Sequence, residues 1–216
     1  STAIDLGTGR TAVDVSVGMD HTCAILDNGD IKCWGRDNYG QLGDGGSTNT
    51  DTNAPSSTAI DLGTGRTAVA LNEGSGSATT CAILDNGSMK CWGSNHYGQL
   101  GVGTWGQWSY YSSPSDTPID LGAGRTVVAM AHESSSACAV LDNGSMMCWG
   151  LNGGGGPNLA TSSVASYVLV PMFVLGTNVW DTATTPVTWE THPALPAGMS
   201  ISGGTISGTP SVYANN

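Results

Sequence analysis

The segment CAILDNGDIKCWG, beginning at Cys23, returns as CAILDNGSMKCWG from Cys81 and as CAVLDNGSMMCWG from Cys138. A second segment precedes it each time: TAIDLGTGRTAV at Thr2 and at Thr58, and TPIDLGAGRTVV at Thr117. The spacings are 58 and 57 residues for the first motif and 56 and 59 for the second. A fixed period of this size calls for stacked supersecondary units, because one such unit cannot bury its apolar face alone. The repeats fill residues 1–155, as copies spanning roughly 1–56, 57–115 and 116–155. Residues 156–175 read as a connecting strand segment, whose apolar run from Tyr167 to Leu175 is interrupted by Pro171.

Composition points to short strands joined by turns. Gly accounts for 32 of the 216 residues, Ser, Thr, Asn and Asp are abundant, and the helix formers Lys and Glu are scarce. The formal net charge is −11, with six Lys plus Arg. Nothing basic is available to neutralise phosphates, so a nucleic-acid partner is not expected. No run of some 18 apolar residues occurs, and no membrane-spanning helix is expected. The absence of an initial Met or a signal peptide is read as a mature product or a fragment.

All six cysteines fall in three Cys-x9-Cys pairs, each bracketing Asp-Asn-Gly. A three-residue turn at Asp27, Asn28 and Gly29, with Gly left-handed, makes a bulged hairpin. Counting outward, Leu26 faces Asp30, Ile25 faces Ile31, Ala24 faces Lys32 and Cys23 faces Cys33. Alternation makes the cysteine pair a non-hydrogen-bonded one, with alpha carbons about 4.5 Å apart, within reach of a disulfide. The same count gives Cys81–Cys91 and Cys138–Cys148. Free buried thiols and metal ligation are the rival readings. Metal sites gather four ligands at tighter spacing, and His21 is replaced by Thr79 and Ser136 in the other copies. Three disulfides imply an extracellular or cell-surface location.

HTCAILDNGDIKCWGRDNYGQLGDG and CAILDNGSMKCWGSNHYGQLGVG resemble the repeat of the regulator of chromosome condensation (RCC1) family. The matching residues are Trp34, Gly35, Asn38, Gly40, Gln41, Leu42 and Gly43, then Trp92, Gly93, Asn95, Gly98, Gln99, Leu100 and Gly101. The third copy keeps Trp149, Gly150 and Asn152 but reads GGGGPNL where the others read Gly-Gln-Leu-Gly. The resemblance implies a β-propeller of four-stranded blades, usually seven. Three blades make an incomplete ring, so further blades or neighbouring subunits are expected to cover the open faces. The cysteine-bearing version looks like secreted prokaryotic members. The founding member's nucleotide-exchange activity is not carried over, because its functional residues have no match here. PALPAGMSISGGTISGTPSV, from Pro193, resembles an Ig-like module of large microbial surface proteins. Residues 176–216 are therefore expected to form a partial Ig-like β-sandwich.

Several recurring residues have structural explanations. Trp34, Trp92 and Trp149 are identically placed, which suits packing between blades rather than a ligand set. Arg10, Arg66 and Arg125 recur five residues after Asp5, Asp61 and Asp120, and ion pairs bracketing the Gly-x-Gly turn are expected. Asp27, Asp85 and Asp142 are read as turn residues rather than calcium ligands. Asn86-Gly-Ser and Asn143-Gly-Ser match the glycosylation sequon at turns expected to be exposed, the rival reading being a chance product of Asn-Gly turns.

The copies diverge most after Gly-Gln-Leu-Gly. The second reads VGTWGQWSYYSSPSD and carries Trp105, Trp108, Tyr110 and Tyr111. Such a cluster suits stacking on sugar rings or a protein hot spot, the rival being a satellite packing cluster. No nucleophile–base pair, cofactor motif or metal motif stands out among His21, His96, His132, His192, Glu73, Glu133 and Glu190. The chain therefore reads as an all-β extracellular or cell-surface structural or adhesive protein, acting through protein or glycan contacts or by self-assembly. A secreted inhibitor or binding module is the first alternative, and a hydrolase of extracellular polymers the second.

Overall fold

The computed structural model describes residues 3–48, 51–72, 76–151, 167–173, 199–202 and 205–208. The chain divides into two compact units, Ser1–Val174 and Leu175–Asn216.

The first unit holds three antiparallel sheets, one per repeat. Strands β1 (Ala12–Val17), β2 (His21–Leu26) and β3 (Ile31–Gly35) form the first sheet in that order, and an isolated bridge from Gly35 to Thr52 extends its outer edge. The second contains β4 (Ala68–Leu71), β5 (Thr79–Leu84), β6 (Met89–Ser94) and β7 (Tyr110–Tyr111). The third contains β8 (Val127–Glu133), β9 (Ser136–Leu141), β10 (Met146–Leu151) and β11 (Tyr167–Phe173). The apolar run around Pro171 thus supplies the outer strand of the third sheet, pairing Met147 with Phe173 and Leu151 with Tyr167. These are propeller blades, each a sheet read outward from its innermost strand.

The cysteine hairpins adopt the register expected from their turns. Ile25 pairs with Ile31, Ala24 with Lys32 and Cys23 with Cys33. Leu26 N–H donates to the Asp30 carbonyl at 2.8 Å, and Gly29 closes the turn at φ +80°. All three pairs are disulfides, each with alpha carbons 4.1 Å apart. The innermost strands share one irregularity. Register shifts between Ala12 and Asp14, between Ala68 and Ala70, and between Val127 and Ala129. The extra residue of each bulge is Val13, Val69 or Val128, and each is exposed.

The core lies between blades. Cys23, Ile25, Ile31 and Cys33 of the first blade pack with Ile60, Leu62, Ala68, Leu84 and Trp92 of the second. Cys81, Ile83, Met89 and Leu100 of the second pack with Ile119, Leu121, Val127, Leu141 and Trp149 of the third. Burial of β5 and β6 on both faces follows from this central position. Among the described residues, the three sheets do not close a ring.

In the second unit, β12 (Met199–Ser202) pairs antiparallel with β13 (Thr205–Gly208), with Ile201 opposite Ile206. The remainder of the segment expected to be Ig-like, including Trp189, lies outside the described residues.

Candidate binding pocket

The Gly-Gln-Leu-Gly motif is a rigid turn that aims a tyrosine outward. The Gln41 side-chain oxygen accepts the Tyr39 N–H at 2.8 Å, and Gln99 does the same for Tyr97 at 2.9 Å. Asp37 Oδ1 accepts the Leu42 N–H at 3.0 Å, and Asn95 Oδ1 accepts that of Leu100 at 3.1 Å. The counterpart of Asn95 is therefore Asp37, one residue before the Asn38 that sequence matching picks out. Asp37 is buried, and that burial pushes its carboxyl pKa up, against the downward pull of the Leu42 N–H.

The second blade adds an aromatic loop beside this turn. Asn95 Nδ2 donates to the Thr104 carbonyl at 2.9 Å, and Asn95 N–H donates to the Ser109 carbonyl at 2.8 Å. Trp108 sits at φ +71°, a conformation unusual for a bulky side chain. Both anchors fix the loop against the turn. Together they line a cavity of about 480 Å³ formed by Tyr39, His96, Tyr97, Trp105, Gln107 and Trp108. Trp105 and Trp108 are 50% and 68% exposed. The His96 ring meets Tyr39 edge-on at 5.1 Å and Trp108 at 5.8 Å. Burial lowers the His96 pKa, favouring the neutral ring. Its Nε2 is buried and has no hydrogen-bond partner among the described residues.

The structure separates the four aromatics of this loop. Trp105 and Trp108 line the cavity. Tyr110 and Tyr111 instead form β7, paired with Ser94 and Gly93. The Tyr111 ring packs against the core between the second and third blades. The Tyr110 hydroxyl meets Ser47 Oγ at 3.0 Å, tying the second blade's outer strand to the first blade's linker. Sequence reasoning missed Tyr39, His96, Tyr97 and Gln107 as pocket residues. The recurrence of Tyr at the same place in two repeats was the available signal.

The other recurring residues are structural. The expected Arg–Asp pairs across the Gly-x-Gly turn are not formed. Arg10 pairs with Asp27 at 3.4 Å, Arg66 with Asp85 at 3.3 Å and Arg125 with Asp142 at 3.5 Å, at the hairpin tips. Asp5, Asp61 and Asp120 are already engaged, each accepting the N–H two residues on from Gly7, Gly63 or Gly122. A carboxylate folded onto its own turn no longer faces the arginine. Asn86 and Asn143 are exposed, and their side-chain oxygens accept bonds from Ser88 and Ser145. No group of three or more His, Cys, Asp or Glu suited to a metal ion occurs among the described residues.

Comparison with known proteins agrees with this geometry. The family model for the regulator of chromosome condensation (RCC1) repeat matches residues 12–41 and 74–99. Two segments of the chain are thus similar to the RCC1 repeat. The E3 ubiquitin-protein ligase HERC2 of Homo sapiens is 33% identical over 144 residues, covering 66% of this chain and 3% of that protein. The ultraviolet-B receptor UVR8 of Arabidopsis thaliana is 32% identical over 150 residues, covering 68% of this chain and 31% of that protein. The chain thus spans under a third of either relative. The crystal structure of Prp20p from Saccharomyces cerevisiae, reported with its binding to Gsp1p and histones, superposes with a TM-score of 0.61 at 16% identity. That match covers 78% of this chain and 39% of Prp20p, and shows the RCC1 propeller fold.

Proposed function

We propose that the chain is a binding module of an extracellular or cell-surface adhesive protein, and that its aromatic pocket takes a glycan. The observation that carries this reading is the exposed pair Trp105 and Trp108, held over a cavity lined also by Tyr39, Tyr97 and Gln107. Sugar rings present C–H faces that stack on indole, and their hydroxyls suit the Gln107 amide. A net charge of −11 disfavours acidic polymers and favours a neutral glycan. The disulfides support an oxidising compartment, where Asn86 and Asn143 would be open to glycosylation. Among the described residues, no helix is long and apolar enough to cross a membrane.

A glycan array probed with the folded chain tests the reading. Binding to neutral glycans that disappears in a Trp105→Ala/Trp108→Ala variant with an unchanged melting temperature is the expected result. Binding that survives this double substitution would move the contact elsewhere. A protein partner is the second reading, favoured by the protein binding reported for Prp20p. It predicts capture of a polypeptide that the same double variant loses, with no glycan signal.

A further inference from the structure

The loop that carries the two exposed indoles turns at a residue ill suited to its backbone. Ser109 N–H donates to the Gly106 carbonyl at 2.9 Å, closing a turn with Gln107 and Trp108 at its centre. Trp108, at φ +71°, occupies the place that a type II turn normally gives to Gly. A bulky side chain held there costs free energy, and such strain gathers at ligand clamps. The surroundings fix it in place. Asn95 holds the loop through the Thr104 and Ser109 carbonyls. Gly45 N–H donates to the Ser112 carbonyl at 2.8 Å, so the first blade's linker holds the loop's far end.

The cavity wall is rich in rings and poor in polar partners. None of its six lining residues is Asp, Glu, Lys or Arg. Gln107 supplies a carboxamide between Trp105 and Trp108 in the chain. It is exposed, and its side chain makes no hydrogen bond with another described residue. A free carboxamide offers two N–H donors and one acceptor. A plain hexose surrounds its ring with hydroxyls, and each one desolvated without a partner weakens binding. This wall therefore favours a sugar that exchanges a hydroxyl for a group with an apolar part and a strong acceptor. An acetamido group has both: a methyl for an indole and a carbonyl for the Gln107 N–H.

We propose that the pocket selects an N-acetylhexosamine unit within a neutral glycan, a narrowing that rests on the glycan reading above. One indole stacks on the sugar ring and the other packs against the acetamido methyl, while Gln107 donates to the acetamido carbonyl. The unit is uncharged, in keeping with a wall that holds no Asp, Glu, Lys or Arg to pair with an ionic sugar. The tryptophans give affinity for sugars in general, and Gln107 is the specificity-determining residue.

The folded chain is titrated with N,N′-diacetylchitobiose and with cellobiose, disaccharides of the same linkage that differ in their acetamido groups. N-acetylgalactosamine and galactose form a second pair. Calorimetry gives the affinities, and tryptophan emission reports contact with the indoles. An acetylated sugar is expected to bind about 10-fold more tightly than its hydroxyl counterpart. Gln107→Leu should cut that preference to under about 3-fold, with the melting temperature unchanged. A preference that survives Gln107→Leu intact would overturn the assignment. Equal affinities within both pairs, lost together in the Trp105→Ala/Trp108→Ala variant, would overturn it while leaving the glycan reading in place. Array binding confined to glycans without N-acetylhexosamine would do the same. Binding of no sugar, in these titrations or on the array, would overturn both.

Discussion

Trp149 donates its indole N–H to the carbonyl of Gln99 at 2.8 Å, one blade after Trp92 makes the same bond to Gln41. Both rings are fully buried, so each tryptophan combines a large apolar contact with a satisfied polar atom. Trp149→Ala is expected to destabilise the chain by about 3–5 kcal/mol, the range for a buried aromatic truncated to Ala. Trp34→Ala in the same background should cost under about 1 kcal/mol, because the half-buried ring loses less contact. Urea denaturation of the two variants gives the comparison, and equal losses would contradict the packing described.

Gly43 and Gly65 share a left-handed backbone, at φ +74° and +69°, but not their surroundings. An added Cβ at Gly65 meets nothing within 4 Å, whereas at Gly43 it collides with the Trp92 indole. Gly65→Ala should therefore show only the left-handed backbone penalty of about 1–2 kcal/mol. Gly43→Ala should show that penalty plus displacement of Trp92, at least doubling it. Chemical denaturation together with the tryptophan emission of Gly43→Ala reads out both parts.

His21 and His132 are buried, and burial lowers both pKa values to about 4, with Asp20 pulling the His21 value the other way. An unfolded histidine binds its proton near 6.5. Between these values the unfolded chain holds more protons, so stability rises with pH. The contribution is complete above about pH 7 and is lost as pH falls through 4, by roughly 3 kcal/mol per histidine. Denaturation midpoints at pH 7 and pH 4.5 should differ clearly for the native chain. His132→Leu should reduce that difference by about half.

The three disulfides differ in access. Cys81 and Cys91 are buried between two blades, as are Cys23 and Cys33, whereas Cys138 is only half-buried at the edge of the cluster between the second and third blades. Mild reductant followed by alkylation and mass spectrometry should label Cys138 and Cys148 first. Replacing one cysteine pair with alanine should cost about 2–3 kcal/mol, from the chain entropy released when a short loop opens.

The hairpins were legible because turn chemistry fixes register locally: Asp27-Asn28-Gly29 sets every pairing out to Cys23 and Cys33. The tryptophan joints were legible in kind, since identical placement in each copy implies a shared structural task. What depended on three-dimensional approach was not readable. Asp27 lies 17 positions after Arg10, yet the hairpin brings it nearer than Asp5, whose carboxylate is turned onto Gly7. The pocket was half visible. Trp105 and Trp108 stood out in composition, but Tyr39 comes from another blade, and only stacking places its ring against His96. The role of Tyr110 and Tyr111 as a short outer strand was hidden because two residues carry no periodicity.

None of the three cross-links spans two blades; each joins cysteines 10 positions apart within one hairpin. Tension on the chain ends therefore meets a series of non-covalent joints separated by covalently locked arms. The two middle strands of each blade stay joined while the strands flanking them are held by hydrogen bonds alone, and the peptide inside each locked arm adds nothing to the extended length. Each locked arm thereby keeps its hairpin register when its neighbours are pulled away.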